Sequence, residues 1–207
     1  MLKKLIYYIL IFNFTLVSAQ LNQEPKKITK KFFSEHNDIE NITPALKKKK
    51  GFTNYQELLS YIDEKVQKYP ELVSSNFIGE SQKGKKIPIV FIKKNKNNFD
   101  KKLRVWMQGG LHGNEPASTE SLLYLIHLIL EDPNYNYLLD KIELAISPMA
   151  NIDGSLKNDR YAANGLDLNR DHTKIMAPET KASIKAFNNF NPHVALDFHE
   201  YLSLIHI

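Results

Sequence analysis

The chain has 207 residues, no cysteine and a formal net charge of +5, from 28 Lys and Arg against 23 Asp and Glu. This length allows one domain with a sizeable core, and the lack of cysteine excludes disulfides and thiolate metal ligands. The only dense basic run, residues 47–50, has no interleaved aromatic residues, so we expect a solvated segment there and no nucleic-acid partner.

Residues 1–19 have the pattern of a secretory signal peptide. Two lysines form a basic start, residues 5–17 are mostly apolar but too few to span a bilayer comfortably, and Val17-Ser18-Ala19 is a small-residue cleavage site. We therefore expect an exported protein, secreted or periplasmic, without a stable membrane anchor. A polar linker or leader poor in apolar residues follows at residues 20–52.

Residues 53–201 alternate between helix and strand patterns and are expected to form the folded domain. Thr53 and Gln56 suggest a capping box for a helix that runs to about Lys68. Two more helices are predicted to begin at Pro116 and Pro178. Strands are predicted at residues 72–79, 86–93, 103–108, 142–147 and 194–198. The alternation predicts an α/β domain with a mixed, mostly parallel sheet flanked by helices.

Three potential metal ligands follow the ends of predicted strands. His112 and Glu115 lie in a glycine-rich turn after one strand, and His199 follows another. Two imidazoles and one carboxylate are a ligand set of catalytic zinc, which keeps a fourth position for water or substrate. Because sites in open α/β sheets gather at the carboxyl ends of strands, we expect these three residues to bind Zn²⁺.

Each of these residues also has an ordinary structural interpretation. An isolated His-x-x-Glu is common by chance, and His199 taken alone could equally be a hydrogen-bonded core histidine. His127 lies within the apolar run 122–130, where it has no acidic or histidine partner. A structural role is therefore expected for His127.

Further polar residues are grouped between the second and third candidate ligands. Arg170 beside Asn169 can grip a carboxylate through a bidentate fork and an amide donor. Arg160 could stabilise a developing oxyanion. Asp167 could accept a hydrogen bond from the free ring nitrogen of a metal-bound histidine. Any one of them could instead be an ordinary surface residue.

Five motifs follow one another in the chain: His112-Gly-Asn-Glu115, Asn151-Ile-Asp-Gly154, Arg160, Asp167-Leu-Asn-Arg170 and His199. This ordered set resembles the zinc carboxypeptidase family, the carboxypeptidase A type of metallocarboxypeptidase, over roughly residues 55–201. The resemblance implies the family's α/β fold and a zinc site at His112, Glu115 and His199. It also implies a peptide substrate whose C-terminal carboxylate Asn169 and Arg170 would hold, and a scissile carbonyl that Arg160 would polarise.

Two substitutions depart from the family pattern. Ile152 stands where the family has the proline of Asn-Pro-Asp-Gly, and Asn114 stands where the type enzymes have an arginine, which suggests different subsite contacts. In the family, the general-base glutamate and the mobile capping tyrosine lie well downstream of the third ligand, whereas eight residues follow His199 here. We therefore expect an N-terminal fragment that is inactive by itself, since Glu200 is on the wrong element to serve as the base.

The last six residues, 202–207, read Leu-Ser-Leu-Ile-His-Ile. This is the translation of CTG TCT CTT ATA CAC ATC, the transposon-end adapter of sequencing libraries. We expect a non-native tail, so that His206 is not a ligand candidate.

Besides the peptidase, two other functions remain open. A zinc-dependent deacylase of N-acyl amino acids, of the aspartoacylase and succinylglutamate desuccinylase type, shares the Gly-Gly-x-His-Gly-Asn-Glu turn and Asp-Leu-Asn-Arg, so Asn114 favours it. The signal peptide and the motif at residues 151–154 favour the peptidase. The third possibility is a non-catalytic relative that keeps the zinc and binds peptide termini.

Overall fold

The structure is a computed structural model and describes residues 27, 31, 41–94 and 102–200. The two long ranges fall within one compact unit, Asp38–Tyr201. The predicted signal peptide and the predicted non-native tail lie outside the described residues, as does most of the predicted leader. No helix within the described ranges is long and apolar enough to cross a membrane.

Helices and strands alternate along the described residues. In chain order they are α1 (Tyr55–Lys68), β1 (Val73–Glu80), β2 (Lys86–Ile92), β3 (Leu103–Gly109), α2 (Pro116–Glu131), α3 (Pro133–Asn136), a 3₁₀ turn (Tyr137–Asp140), β4 (Ile142–Ser147), α4 (Ile152–Ser155), α5 (Leu168–Asp171), α6 (Pro178–Phe190) and β5 (Val194–Phe198). All five predicted strands are present to within one residue at each end, and two helices begin at Pro116 and Pro178 as predicted.

The five strands form one mixed sheet in the order β1-β2-β4-β3-β5. The β1–β2 and β2–β4 pairs are antiparallel, whereas β3 runs parallel to both β4 and β5. The prediction of a mixed sheet flanked by helices is confirmed. Because β3, β4 and β5 are parallel, their carboxyl ends meet at one edge of the sheet.

The sheet is covered by helices on its two faces. Val105 and Met107 of β3 belong to the main core cluster, which also contains apolar residues of α1 and α2. Trp106, between them, faces the opposite side and packs edge-on against Phe187 of α6, with 5.6 Å between the ring centroids. This alternation is the two-residue period of a strand that is buried on both faces.

The N-terminal cap of α1 is one residue further along than predicted. The Asn54 side chain accepts a hydrogen bond from Glu57 N at 3.0 Å, and the Glu57 carboxylate accepts one from Asn54 N at 2.8 Å. Thr53 instead donates its backbone N–H and its hydroxyl to Glu120 of α2. The Thr53–Gln56 prediction was therefore wrong, because a tertiary contact engages Thr53 and the charged Glu57 suits the positive end of the helix better than Gln56 does.

Candidate metal centre

Two neighbouring parallel strands carry the candidate ligands to the same edge of the sheet. His112 and Glu115 lie in the turn between β3 and α2, and His199 directly follows β5. Gly109 pairs with Phe198 in the β3–β5 register, so the turn after β3 and the residues after β5 begin side by side at this edge of the sheet. One ligand atom from each of the three residues lies within 4.8 Å of the other two.

Glycine is required in the turn that carries His112 and Glu115. Gly110 has a φ of +64°, a conformation that other residues rarely adopt. A Cβ on Gly113 would lie 2.1 Å from the carbonyl carbon of Gly154 and 2.2 Å from Ser155 N. The ligand turn therefore packs backbone against backbone on the α4 segment.

Asn151 ties the α4 segment to the ligand turn. Its Oδ1 accepts a hydrogen bond from Gly154 N at 2.9 Å, and its Nδ2 donates to Leu111 O at 3.2 Å. Asn151 is fully buried. The Asn-x-Asp-Gly motif thus supports the turn that carries two of the candidate ligands.

The Glu115 carboxylate lies between the two imidazoles. Its Oε1 is 2.7 Å from His112 Nδ1, and its Oε2 is 2.8 Å from His199 Nδ1. The side chains of His112 and Glu115 are 3% and 6% exposed, whereas that of His199 is 23% exposed. The donor set and its convergence fit a divalent cation such as zinc, which takes imidazole nitrogen and carboxylate oxygen.

The far side of the His112 ring faces Asp167. His112 Nε2 is 3.1 Å from Asp167 Oδ1, and Asp167 Oδ2 accepts hydrogen bonds from Arg160 Nε and Nη2 at 3.1 and 2.9 Å. Burial raises the pKa of Asp167, but the contacts with His112 and Arg160 outweigh it, so this pKa lies below its ordinary value. A charged carboxylate is therefore available to accept the Nε2 proton of His112.

Arg160 borders the ligands from the solvent side. Its Nη1 lies 3.3 Å from His112 Nδ1 and 3.7 Å from Glu115 Oε1, and its side chain is 36% exposed. The Asp167 carboxylate anchors the other edge of the guanidinium. Arg160 thus presents positive charge beside the point where the ligands converge.

The two predicted carboxylate-binding residues, Asn169 and Arg170, lie in different surroundings. Asn169 reaches the centre, with its Nδ2 3.3 Å from His199 Nε2. Arg170 is the next residue of the same helical turn and is exposed. In the described part of the chain, its guanidinium forms no ion pair.

The sequence analysis did not predict two contacts made by histidines. The first joins His199 Nε2 to Asp197 Oδ2 at 3.1 Å. It could have been predicted, because Asp197 precedes His199 by two residues at the end of a strand, and side chains two residues apart lie on the same side of a strand. His127, for which no acidic partner was counted, lies 3.5 Å from Glu131 Oε1 one helical turn later. Because Glu131 ion-pairs with two lysines, this contact is consistent with a structural role for His127.

The comparisons with known proteins agree with one another. The family model described as zinc carboxypeptidase matches residues 58–196. Carboxypeptidase 2 of Trichophyton tonsurans is 38% identical over 127 residues, which are 59% of this chain and 24% of that protein. Carboxypeptidase B of Helicoverpa zea is 33% identical over 118 residues, which are 53% of this chain and 27% of that protein. The chain thus spans about a quarter of the length of these two curated relatives.

A solved structure has the same fold. The crystal structure of carboxypeptidase A from Helicoverpa armigera matches with a TM-score of 0.66 at 23% identity, covering 72% of this chain and 46% of that chain.

Proposed function

Because this chain belongs to the zinc carboxypeptidase family, we propose that the protein carrying it is a zinc-dependent metallocarboxypeptidase that removes C-terminal residues from peptides. The observation that carries the proposal is the convergence of His112, Glu115 and His199 within 4.8 Å at the carboxyl edge of the sheet. The relatives named carboxypeptidase support the same activity.

The proposed zinc ligands are the Nδ1 atoms of His112 and His199 and the carboxylate of Glu115. Held by these three residues, a zinc ion would supply a Lewis acid able to polarise a carbonyl group and activate water. Asp167 accepts the Nε2 proton of His112, so that Nδ1 keeps its lone pair towards the centre. Burial of His112 and Glu115 excludes solvent from one side of the ligands.

Arg160, Asn169 and Arg170 are proposed to bind the peptide. The Arg160 guanidinium is held by Asp167 beside the ligands, where it would stabilise negative charge that develops on the scissile carbonyl oxygen. Asn169 lies at the centre, and the exposed Arg170 is available to a carboxylate. An amide and a guanidinium on one turn would distinguish a free C-terminus from an amidated one.

The whole protein is the proposed enzyme, since this chain spans only about a quarter of its curated relatives. The Glu200 carboxylate accepts a hydrogen bond from Ala117 N at the start of α2, at 3.1 Å. We therefore do not assign the proton acceptor for the attacking water to Glu200. Export through residues 1–19 is part of the same proposal and rests on the sequence pattern of that segment.

Zinc content of the whole protein tests the ligand assignment. We expect about one zinc per chain in the wild type and a sharp drop in His112→Ala, Glu115→Ala and His199→Ala. His127→Ala is the matched control, because it removes a histidine of the same domain that lies outside the centre. Full zinc content in His199→Ala would refute the assignment.

Hydrolysis of matched substrates tests the reaction. We expect free-acid peptides to be cleaved and their C-terminally amidated counterparts to be cleaved far more slowly, because the amide lacks the charge that the guanidinium and amide donors recognise. Equal cleavage of both would indicate an endopeptidase. Turnover of N-acyl amino acids alone would indicate the deacylase.

A further inference from the structure

We propose that Asp197 is a positioning residue for the third ligand, His199. Its carboxylate accepts the Nε2 proton of His199 and thereby holds the ring in the tautomer and orientation that direct Nδ1 at the metal centre. The inference rests on the proposed function, because it takes His199 to be a zinc ligand.

The two nitrogens of His199 face different carboxylates. Nδ1 is 2.8 Å from Glu115 Oε2, on the side where the ligands converge, and Nε2 is 3.1 Å from Asp197 Oδ2 on the other side. Asp197 pairs with Gln108 in the β3–β5 register, so its backbone is fixed by the sheet. Residues two apart along a strand project to the same side, which places this carboxylate beside the ring that follows β5.

The first histidine of the centre has the same arrangement. His112 Nδ1 faces Glu115 at 2.7 Å, and His112 Nε2 faces Asp167 at 3.1 Å. Each imidazole thus lies between the shared Glu115 carboxylate and a carboxylate of its own. Asp167 comes from the start of α5 and Asp197 from β5, so two separate elements provide the same contact.

A second neighbour of His199 Nε2 is Asn169, whose Nδ2 lies at 3.3 Å. The two neighbours require opposite tautomers. An amide N–H can donate only to an unprotonated Nε2, which would place the proton on Nδ1 and prevent that atom from binding a cation. A carboxylate accepts from a protonated Nε2 and leaves the Nδ1 lone pair free.

The metal-binding tautomer therefore pairs with Asp197. Even if the Asn169 amide presented its oxygen, the ionised carboxylate would be the stronger acceptor. Pairing with Asp197 also leaves the amide hydrogens of Asn169 free for a substrate carboxylate. Asp197 thus separates the ligand role of His199 from the substrate-binding role of Asn169.

Zinc affinity of the whole protein tests the inference. Apoprotein is titrated with zinc in competition with a chromophoric chelator, and circular dichroism of the apo form checks the fold. Loss of a carboxylate that orients a ligating histidine typically weakens metal binding by about 10–100-fold, which is the loss expected for Asp197→Ala. Asp197→Asn keeps a neutral acceptor of the same shape and should lose less.

Glu80→Ala is the charge-matched control. Glu80 is an exposed carboxylate of β1 that pairs with Lys86, and its removal should leave the zinc dissociation constant unchanged. A second readout is the Nε2–H group of His199 in the zinc-loaded protein, observed by ¹H–¹⁵N NMR. We expect a hydrogen-bonded, slowly exchanging Nε2 proton in the wild type and a faster-exchanging one in Asp197→Ala, because the carboxylate that accepts this proton is gone.

The possible failures are distinguishable. If His199→Ala binds zinc as tightly as the wild type does, the ligand assignment of the proposed function is wrong, and the inference about Asp197 is overturned with it. If zinc binding needs His199 but Asp197→Ala matches the wild type in zinc affinity and in Nε2–H exchange, the inference alone is overturned. Should Asp197→Ala fail to fold, an unchanged zinc affinity and Nε2–H exchange in Asp197→Asn would overturn it equally.

Discussion

The Glu115 carboxylate shows how a single buried residue can remain charged. Burial raises its pKa, but the backbone N–H of Glu200 and the rings of His199 and His112 together outweigh that effect, so this pKa lies below its ordinary value. The carboxylate accepts a hydrogen bond from Glu200 N at 3.0 Å, and the Nδ1 atoms of His112 and His199 lie 2.7 and 2.8 Å from its oxygens. Because it is charged and held between two imidazoles, it needs little rearrangement to bind a divalent cation.

Arg170→Ala tests carboxylate recognition at the level of one side chain. A charge-assisted hydrogen bond is typically worth about 1.5–3 kcal/mol, so kcat/KM of the whole enzyme on free-acid peptides should fall at least roughly tenfold. Lys174→Ala removes another exposed positive charge four residues later and is the control. An equal loss on acid and amidated peptides would contradict the role of Arg170.

Gly113→Ala tests the contact between the ligand turn and α4. The new Cβ would lie 2.1 to 2.5 Å from backbone atoms of Gly154, Ser155 and Asp159, and backbone cannot rotate away as a side chain can. We expect a loss of about 3 kcal/mol or more in unfolding free energy, together with weaker zinc binding. Gly165→Asn is the control, because Gly165 has open space and a φ of +80°, which asparagine tolerates. Similar stability of the two variants in chemical denaturation would show that the turn can relax.

At the scale of whole elements, α1 and α2 are joined by a buried ion pair. Lys65 Nζ is 2.5 Å from Glu131 Oε1, and the Lys65 side chain is 4% exposed. Lys68 Nζ binds the other oxygen of Glu131 at 2.7 Å. Burial raises the pKa of Glu131, but the hydrogen bonds from Lys65 and Lys68 outweigh it and lower that pKa from 4.5 to about 2.

This ion pair predicts a pH-dependent stability difference for Glu131→Gln. The folded pKa lies below the unfolded one, so the stabilisation is complete above pH 4.5 and disappears as the pH falls towards 2. At pH 7 the variant should be less stable by about 1.5–3 kcal/mol, and the difference from wild type should shrink through that window. Urea unfolding of both proteins at several pH values measures this difference, with Glu71→Gln, at an exposed carboxylate outside the ion pair, as the control. A difference that stays constant down to pH 2 would contradict the explanation.

At the scale of the whole molecule, β5 leaves an apolar edge exposed. Among the described strands, β5 has a neighbour on one side only, which is β3. Val194 and Leu196 are 43% and 42% exposed, although both are large apolar residues. An unpaired strand edge with apolar side chains promotes association between copies.

Leu196→Lys is therefore expected to raise the soluble, monomeric fraction when residues 20–207 are expressed alone. A charge on an edge strand opposes pairing between copies. Leu46→Lys is the control for Leu196→Lys, because Leu46 is also 42% exposed but lies outside the sheet. Size-exclusion chromatography of both variants and the wild type gives the comparison, and equal monomer fractions for the two variants would exclude the β5 edge as the cause.

The sequence alone determined most of the secondary structure, because prolines, glycines and the alternation of strands act over a few residues. Pro116 and Pro178 begin helices, and residues 142–147 and 194–198 form strands with the predicted bounds. The cap of α1 was missed by one residue, since the partner of Thr53 is Glu120, 67 positions later. Local patterns therefore predict elements well and predict side-chain partners poorly.

In the candidate site, the sequence suggested His112 and Glu115 together because a turn of four residues brings them close, and it predicted His199 as the third ligand from its place after a strand and from the family resemblance. Only the tertiary structure brought His199 to within 2.8 Å of Glu115, across 84 positions of the chain. That contact, and the placement of Asp197, depend on the parallel pairing of β3 with β5. Strand order is set by which apolar faces bury one another across the whole sheet, so no pattern within a single segment specifies it.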